Sequence, residues 1–225
     1  MTVKRLGCLH AHHSNIRYLE ESLDRGTFTC VHFVDPGAIQ WLTRAAASEA
    51  ATRQVQAKLR GQLEWIAGCG VDAIVITCTN YIAALSPLEQ ALDTTGGVPV
   101  IAIDEPWFDE LLTLGDEAVV AFTNPATVEG TMERLYAHAK LQGRAFKART
   151  AVSGPGCFEL LLQGREAAYA EQAEAFLLGL IRSSSAPVAA AQLSMTDAAI
   201  RAEAASGARI LSPMQALRGR LEGLR

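Results

Sequence analysis

Residues 73–82, Ala-Ile-Val-Ile-Thr-Cys-Thr-Asn-Tyr-Ile, constrain the fold of this chain more than any other stretch. A short apolar run rich in β-branched residues, bounded by Gly70 and a polar cluster, reads as a strand buried on both faces. Such strands belong to parallel sheets covered by helices. The run stops at Cys78, just ahead of a helical pattern that starts at Tyr81. In open α/β sheets, ligands collect in the crevice at the carboxyl ends of the strands. Cys78 therefore stands at the edge of such a crevice, beside a helix N-terminus whose N–H groups and dipole favour a thiolate and attract an anion. The other reading is a buried, inert cysteine, a common fate for this residue type.

The rest of the chain alternates in the same way. Strand-like segments fall at 3–9, 29–34, 98–102, 118–122, 147–152, 187–191 and 209–211. Helical patterns fall at 16–24, 39–67 (weakened at Gly61), 81–92, 104–114, from 125 onward, at 166–181 and 197–204, and at the C-terminus. Strands separated by helices of this length imply βαβ units. The two halves share a pattern: a strand ending at Cys78-Thr79 in one answers a strand ending at Ser194-Met195 in the other. Each is followed by a helix, a glycine (Gly97, Gly207) and a further strand. The opening strands, ending Leu9-His10 and Phe122-Thr123, match as well, which reads as an internal duplication of pattern. The expected architecture is α/β, with two similar lobes related by a pseudo-two-fold, each a mainly parallel sheet flanked by helices. Residues 1–103 form the first lobe and carry Cys78, and 104–114 form a connecting helix. Residues 115–212 form the second lobe and carry Ser194, and 213–225 form a terminal helix packing on the first lobe.

Composition excludes several classes of function. The chain has 225 residues, 49% of them hydrophobic, and a net charge of -4 without a basic stripe, so nucleic acid is not an expected partner. Five cysteines without CxxC spacing fit a reducing, cytoplasmic setting better than a disulfide scaffold. The polar segment 10–15 interrupts any N-terminal apolar region, so no signal peptide is expected. The longest apolar stretch, 173–191, is broken by Glu174, Gly179 and the polar residues 182–185, so no membrane span is expected either. The helix at 39–67 has apolar residues left over after one face is buried, which predicts a homo-oligomer.

A duplicated α/β chain of this length, with a reactive residue ending the third strand of each half, resembles the aspartate/glutamate/hydantoin racemase superfamily. That group includes amino-acid racemases, maleate isomerases and arylmalonate decarboxylases. The resemblance covers nearly the whole chain. It implies two facing lobes, no cofactor, a small carboxylate-bearing substrate and a pair of cysteines approaching it from opposite faces. Cys78 in Ala-Ile-Val-Ile-Thr-Cys-Thr-Asn matches the first cysteine, whereas Ser194 in Ala-Gln-Leu-Ser-Met stands where the second belongs.

Two-base racemisation needs one group to remove the α-proton and another to return one. Cys78 suits the role of acid/base or nucleophile. Of the five cysteines it alone joins a strand end to a helix N-terminus, so it is expected to be the most reactive. Cys8, Cys30 and Cys69 lie in apolar contexts, and Cys157 lies in a Gly-Pro-Gly loop. Ser194 has no comparable ionised fraction, but it can donate a hydrogen bond to a carboxylate or enolate, or else cap the helix ahead of Asp197. Asn15, Thr79, Asn80, Thr123, Asn124 and Met195 follow strand ends and are the candidate substrate contacts. Helix capping is the competing role for Ser14 or Asn15 and for Asn124. His10, His12 and His13 are candidates to line the crevice and tune Cys78. His10-Ala11-His12 also looks like the opening metal motif of amidohydrolases, but only His32 and His138 remain to complete a histidine shell, so no metal is expected.

Overall fold

The computed structural model describes residues 3–45, 49–85 and 94–223. The chain divides into two compact units, 1–103 and 104–225. The first contains β1 (Lys4–His10), α1 (Asn15–Ser22), β2 (Phe28–Val34), α2 (Pro36–Ala45), α3 (Glu49–Ala67), β3 (Ala73–Ile76), α4 (Thr79–Leu85), β4 (Thr94–Thr95) and β5 (Val98–Ala102). Its sheet has the order β2-β1-β3-β5-β4, parallel throughout except for the two-residue edge strand β4. The second unit contains α5 (Asp104–Thr113), β6 (Glu117–Phe122), α6 (Val128–Leu141), β7 (Lys147–Val152), α7 (Cys157–Leu162), α8 (Glu166–Ser183), β8 (Val188–Ala190), α9 (Thr196–Ser206), β9 (Ile210–Leu211) and α10 (Pro213–Glu222). Its sheet is wholly parallel, in the order β7-β6-β8-β9. The parallel strands thus follow one another in the same spatial order in both units, as the duplicated sequence pattern predicts.

Strand β3 is the buried strand expected from residues 73–77: Ile74, Val75 and Ile76 are fully buried. Helix α3 buries Val55, Leu59, Leu63 and Ile66, a stripe at helical spacing, and packs against β3, α2 and α4. Gly7 of β1 leaves room for α3, because a Cβ there would collide with the Ile66 side chain. The single helix expected over 39–67 is instead two. Helix α2 starts at Pro36, where Asp35 Oδ1 accepts from the backbone N–H groups of Gly37 and Ala38 at 3.0 and 3.2 Å. Helix α3 starts at Glu49 and runs straight through the exposed Gly61, since its buried stripe outweighs a glycine cost of about 1 kcal/mol. Residues 86–92 of the helix expected over 81–92 lie outside the described residues.

In the second unit both faces of the sheet are covered, as a parallel sheet requires. One face packs Val120 and Phe122 against Trp107, Phe108, Leu111 and Leu112 of α5 and Ala216 of α10. The other packs Val119 and Ala121 against Tyr169, Ala173 and Leu177 of α8 and against α9. Helix α5, expected as a connector, is therefore part of this core. The terminal helix α10, expected on the first lobe, packs on α5. Arg134 of α6 makes a two-pronged contact to the buried Asp104 at the start of α5, at 3.0 and 2.9 Å. Helix α7 is a further correction: Cys157 is its first, buried residue rather than part of a loop, because Gly156 at φ 93° turns the chain into the helix.

Candidate functional site

Cys78 and Ser194 occupy corresponding places: each lies just past the third strand of its unit and ahead of a helix. In the first unit Cys78 lies between β3 and α4 and is partly buried. Burial pushes its thiol up to about 11, against the pull of the backbone N–H groups of Tyr81 and Asn80. The helix terminus therefore acts as expected but does not prevail, and Cys78 is not the activated thiol read from the sequence. Burial, and then Cys78 itself, raises the neighbouring Tyr81 phenol, which donates its hydrogen to the backbone oxygen of Asp35. Thr79 and Asn80 open α4 and are partly exposed.

Directly before Cys78, Thr77 gathers the polar side chains of this unit. Its hydroxyl oxygen accepts from Asn15 Nδ2 at 3.2 Å and lies 2.8 Å from His10 Nδ1 and 3.2 Å from the Leu9 carbonyl oxygen. Asn15 thus binds Thr77, while Ser14 pairs with His12 Nδ1 at 2.8 Å, so neither takes the capping role. His10 is fully buried and neutral, its imidazole driven down to about 3 first by burial and then by His32. From His10 Nε2 the chain continues to His32 Nδ1 at 2.9 Å, and from His32 Nε2 to Glu20 at 3.0 Å. His12 and His13 stack on each other at the surface, outside this chain. The pairing of β1 with β2 also gathers metal-capable groups in two overlapping trios, Cys8 with His10 and His32, and Glu20 with Cys30 and His32. The apolar context read for Cys30 would raise its thiol, but the neighbouring Cys8 thiol lowers it against the opposing effect of burial.

In the second unit, Ser194 lies in a 3₁₀ turn, Leu193–Met195, and its hydroxyl is 2.8 Å from the Tyr169 hydroxyl. Tyr169 is in turn 3.0 Å from Thr123 Oγ1, which reaches Gln192 Oε1 at 2.9 Å. The same Gln192 oxygen accepts from the backbone N–H groups of Thr123 at 2.6 Å and Asn124 at 2.9 Å. Ser194 is thus tied through Tyr169 to other strand-end groups. Asn124 is a cap: its Oδ1 accepts from Ala126 N at 3.1 Å ahead of a 3₁₀ turn, Pro125–Thr127. Met195, expected at the substrate, is fully buried in the core with Ala198 and Ala199.

The sequence reading gave no role to Thr77, Tyr169 or Gln192. Thr77 and Gln192 carried the strand-end signal used for their neighbours, whereas Tyr169, inside α8, carried none. Chemically, the two halves differ in kind. The first holds a thiol, two linked imidazoles and a carboxylate, all of which exchange protons, and the second holds hydroxyls and an amide.

No protein-family description matches this sequence, and no curated protein is similar to it. Solved structures do match over nearly the whole chain. An aspartate racemase from Picrophilus torridus superposes with a TM-score of 0.66 at 14% identity, covering 98% of this chain and 93% of its own. An allantoin racemase from Pseudomonas fluorescens gives 0.62 at 16%, covering 98% and 90%. A mutant arylmalonate decarboxylase in a liganded form gives 0.63 at 13%, covering 99% and 92%.

Proposed function

We propose that this chain, which has the fold of the aspartate/glutamate/hydantoin racemase superfamily, is a cofactor-independent racemase- or isomerase-like enzyme. Its substrate would be a small acid, amino acid or hydantoin, with the reaction next to the carboxylate or equivalent group. Cys78 serves as acid/base or nucleophile, and Ser194 stands in the position of the second cysteine. The observation that carries this reading is the equivalence of the two positions: each ends the third strand of a unit with the same strand order. Asn15, Thr79, Asn80 and Thr123 are the proposed substrate contacts, with His10 acting through Thr77.

One observation favours a narrower reading, a stereospecific decarboxylase or other one-base lyase. A thiol raised to about 11 is protonated at neutral pH and ready to donate to a carbanion or enolate. Ser194, hydrogen-bonded to Tyr169, can steady that anion but cannot serve as an equal second base.

The test is hydrogen–deuterium exchange at the α-carbon across a panel of small carboxylates and hydantoins in heavy water. The expected result is exchange that depends on Cys78 and labels one enantiomer much faster than the other. Absence of exchange and of carbon dioxide release across the panel, with ligand binding intact, would leave a non-catalytic carboxylate-binding protein. A double-mutant cycle of Cys78→Ala and Ser194→Ala tests whether the two groups serve one reaction. Their effects should be strongly non-additive.

The five free thiols support a reducing compartment such as the cytoplasm. Among the described residues, no helix is long and apolar enough to cross a membrane. The exposed Trp41 of α2 and Trp65 of α3 support a homo-oligomer, which sedimentation velocity at micromolar concentration tests.

A further inference from the structure

The first unit carries the same short pattern twice, Cys8-Leu9-His10 and Cys30-Val31-His32. Side chains two apart on a strand share a face. The parallel register sets Cys8 opposite His32 and Leu6 opposite Cys30, so all four groups fall on one face, where Glu20 of α1 meets His32. We propose that Glu20, Cys30 and His32 form a binding site for a zinc-class divalent cation. A thiolate, an imidazole and a carboxylate are the donor types that zinc takes.

The geometry is close to what such an ion needs. One ligand atom from each of the three residues lies within 4.8 Å of the other two, and the Glu20 oxygen is 3.0 Å from His32 Nε2. With bonds of about 2.0–2.3 Å in tetrahedral geometry, neighbouring ligand atoms sit roughly 3.3–3.7 Å apart. Side-chain adjustments of about 1 Å or less therefore close the site.

Two of the ligands are braced from behind, as metal ligands are. Cys8 lies on the same face of the paired strands as Cys30, and its own thiol points to the Leu6 carbonyl oxygen. Arg25 holds the second oxygen of Glu20 at 3.2 Å. For His32 the network has one consistent proton arrangement when a cation is bound. Thr77 donates to the Leu9 carbonyl oxygen, His10 Nδ1–H donates to Thr77, and His32 Nδ1–H donates to His10 Nε2. That leaves the His32 Nε2 lone pair facing Glu20 and Cys30. A proton in the same place would make an ordinary His–Glu ion pair. Cys30 weighs for the metal, because a thiol adds nothing to an ion pair but is a preferred zinc ligand once ionised.

Access is provided by a cavity of about 240 Å³ between α1 and β2, lined by Glu20, Arg25, Phe28 and Cys30 among others. It gives a route to Glu20 and Cys30 and room for a water as fourth ligand. On binding, Cys30 releases its thiol proton to solvent and gives the sulfur electron pair to the metal. The ion would clamp β2 to α1, one hydrogen-bonded chain away from Thr77. This inference does not depend on the racemase reading.

The experiment uses the tag-free, reduced full chain, stripped with a chelator and titrated with Co²⁺ and then Zn²⁺. One Co²⁺ per chain should bind, with a thiolate-to-cobalt charge-transfer band and the intense visible absorption of a four-coordinate ion, both erased by one equivalent of Zn²⁺. Cys30→Ser should abolish the charge-transfer band, and Glu20→Gln should weaken binding at least tenfold. Replacing His12 and His13 together by Ala should leave the stoichiometry unchanged. In the wild-type chain, Zn²⁺ should protect Cys30 from alkylation, read by mass spectrometry, so the test stands even if a variant misfolds. The proposal is overturned by failure of the wild type to take up stoichiometric Co²⁺, by a spectrum without the charge-transfer band, or by unprotected Cys30. It is also overturned if Cys8→Ser removes the band and Cys30→Ser does not, which would put the ion on the deeper trio of Cys8, His10 and His32.

Discussion

Cys78 should be a slow nucleophile in the ligand-free protein, and the cost of ionising it follows from its surroundings. Burial lifts the thiol from an ordinary 9.0 to about 11. Two pH units at about 1.36 kcal/mol each make the buried thiolate roughly 2.7 kcal/mol less favourable than an exposed one. At pH 8 an ordinary thiol of that kind is about a tenth ionised and Cys78 about a thousandth, so alkylation of Cys78 should run roughly a hundredfold slower. Timed iodoacetamide labelling read by mass spectrometry should show its rate climbing about tenfold per pH unit until close to pH 11. The same shift acts on stability. Because the folded pKa lies above the unfolded one, both states are protonated below about pH 9 and nothing is lost there. Between about 9 and 11 the unfolded chain gives up the proton first, so stability falls as pH rises. By pH 10 the loss attributable to this group is about 1.4 kcal/mol, and Cys78→Ser should remove it. Urea midpoints of wild type and variant at two pH values measure the difference. A labelling rate that levels off by pH 8, or identical alkaline profiles for wild type and Cys78→Ser, would refute the reasoning.

Three further outcomes follow from packing and hydrogen bonding. Gly7→Ala should cost about 1–3 kcal/mol in urea unfolding, because the new methyl group meets the Ile66 side chain of α3. Arg134→Met strands the buried Asp104 carboxylate and should cost about 3–5 kcal/mol, visible as a large fall in Tm. Tyr169→Phe removes the hydroxyl that joins Thr123 to Ser194, at a stability cost of about 1–2 kcal/mol. If Ser194 steadies an anionic intermediate, the same change should lower kcat for substrate exchange while leaving KM nearly unchanged.

The strands were legible because their signal is local. Residues 98–102 and 147–152 read as strands from β-branched and alternating residues alone, and the structure gives those bounds. Helix ends were less so. The start of α2 depends on Asp35 capping two N–H groups, and α7 depends on a left-handed glycine, and neither is a periodicity. The placement of Cys78 and Ser194 at strand ends was readable for the same local reason. Their surroundings were not, since the His10–His32 contact arises from a pairing of strands more than twenty residues apart in the chain. The ionisation of Cys78 was read with the wrong sign because a helix N-terminus is visible in a sequence and the extent of burial is not.

Because α5 lends Trp107, Phe108, Leu111 and Leu112 to the core of the second unit, the place at which the chain can be split is narrow. Burying each of these side chains contributes about 1.5–3 kcal/mol. Together that is roughly 6–12 kcal/mol, as much as the entire net stability of an ordinary domain. A half-chain beginning at Gly115, where the sequence pattern alone would cut, should emerge unfolded and sticky. One beginning at Asp104 keeps those side chains and the Asp104 carboxylate that Arg134 holds, so a two-fragment expression system has its junction between Ile103 and Asp104.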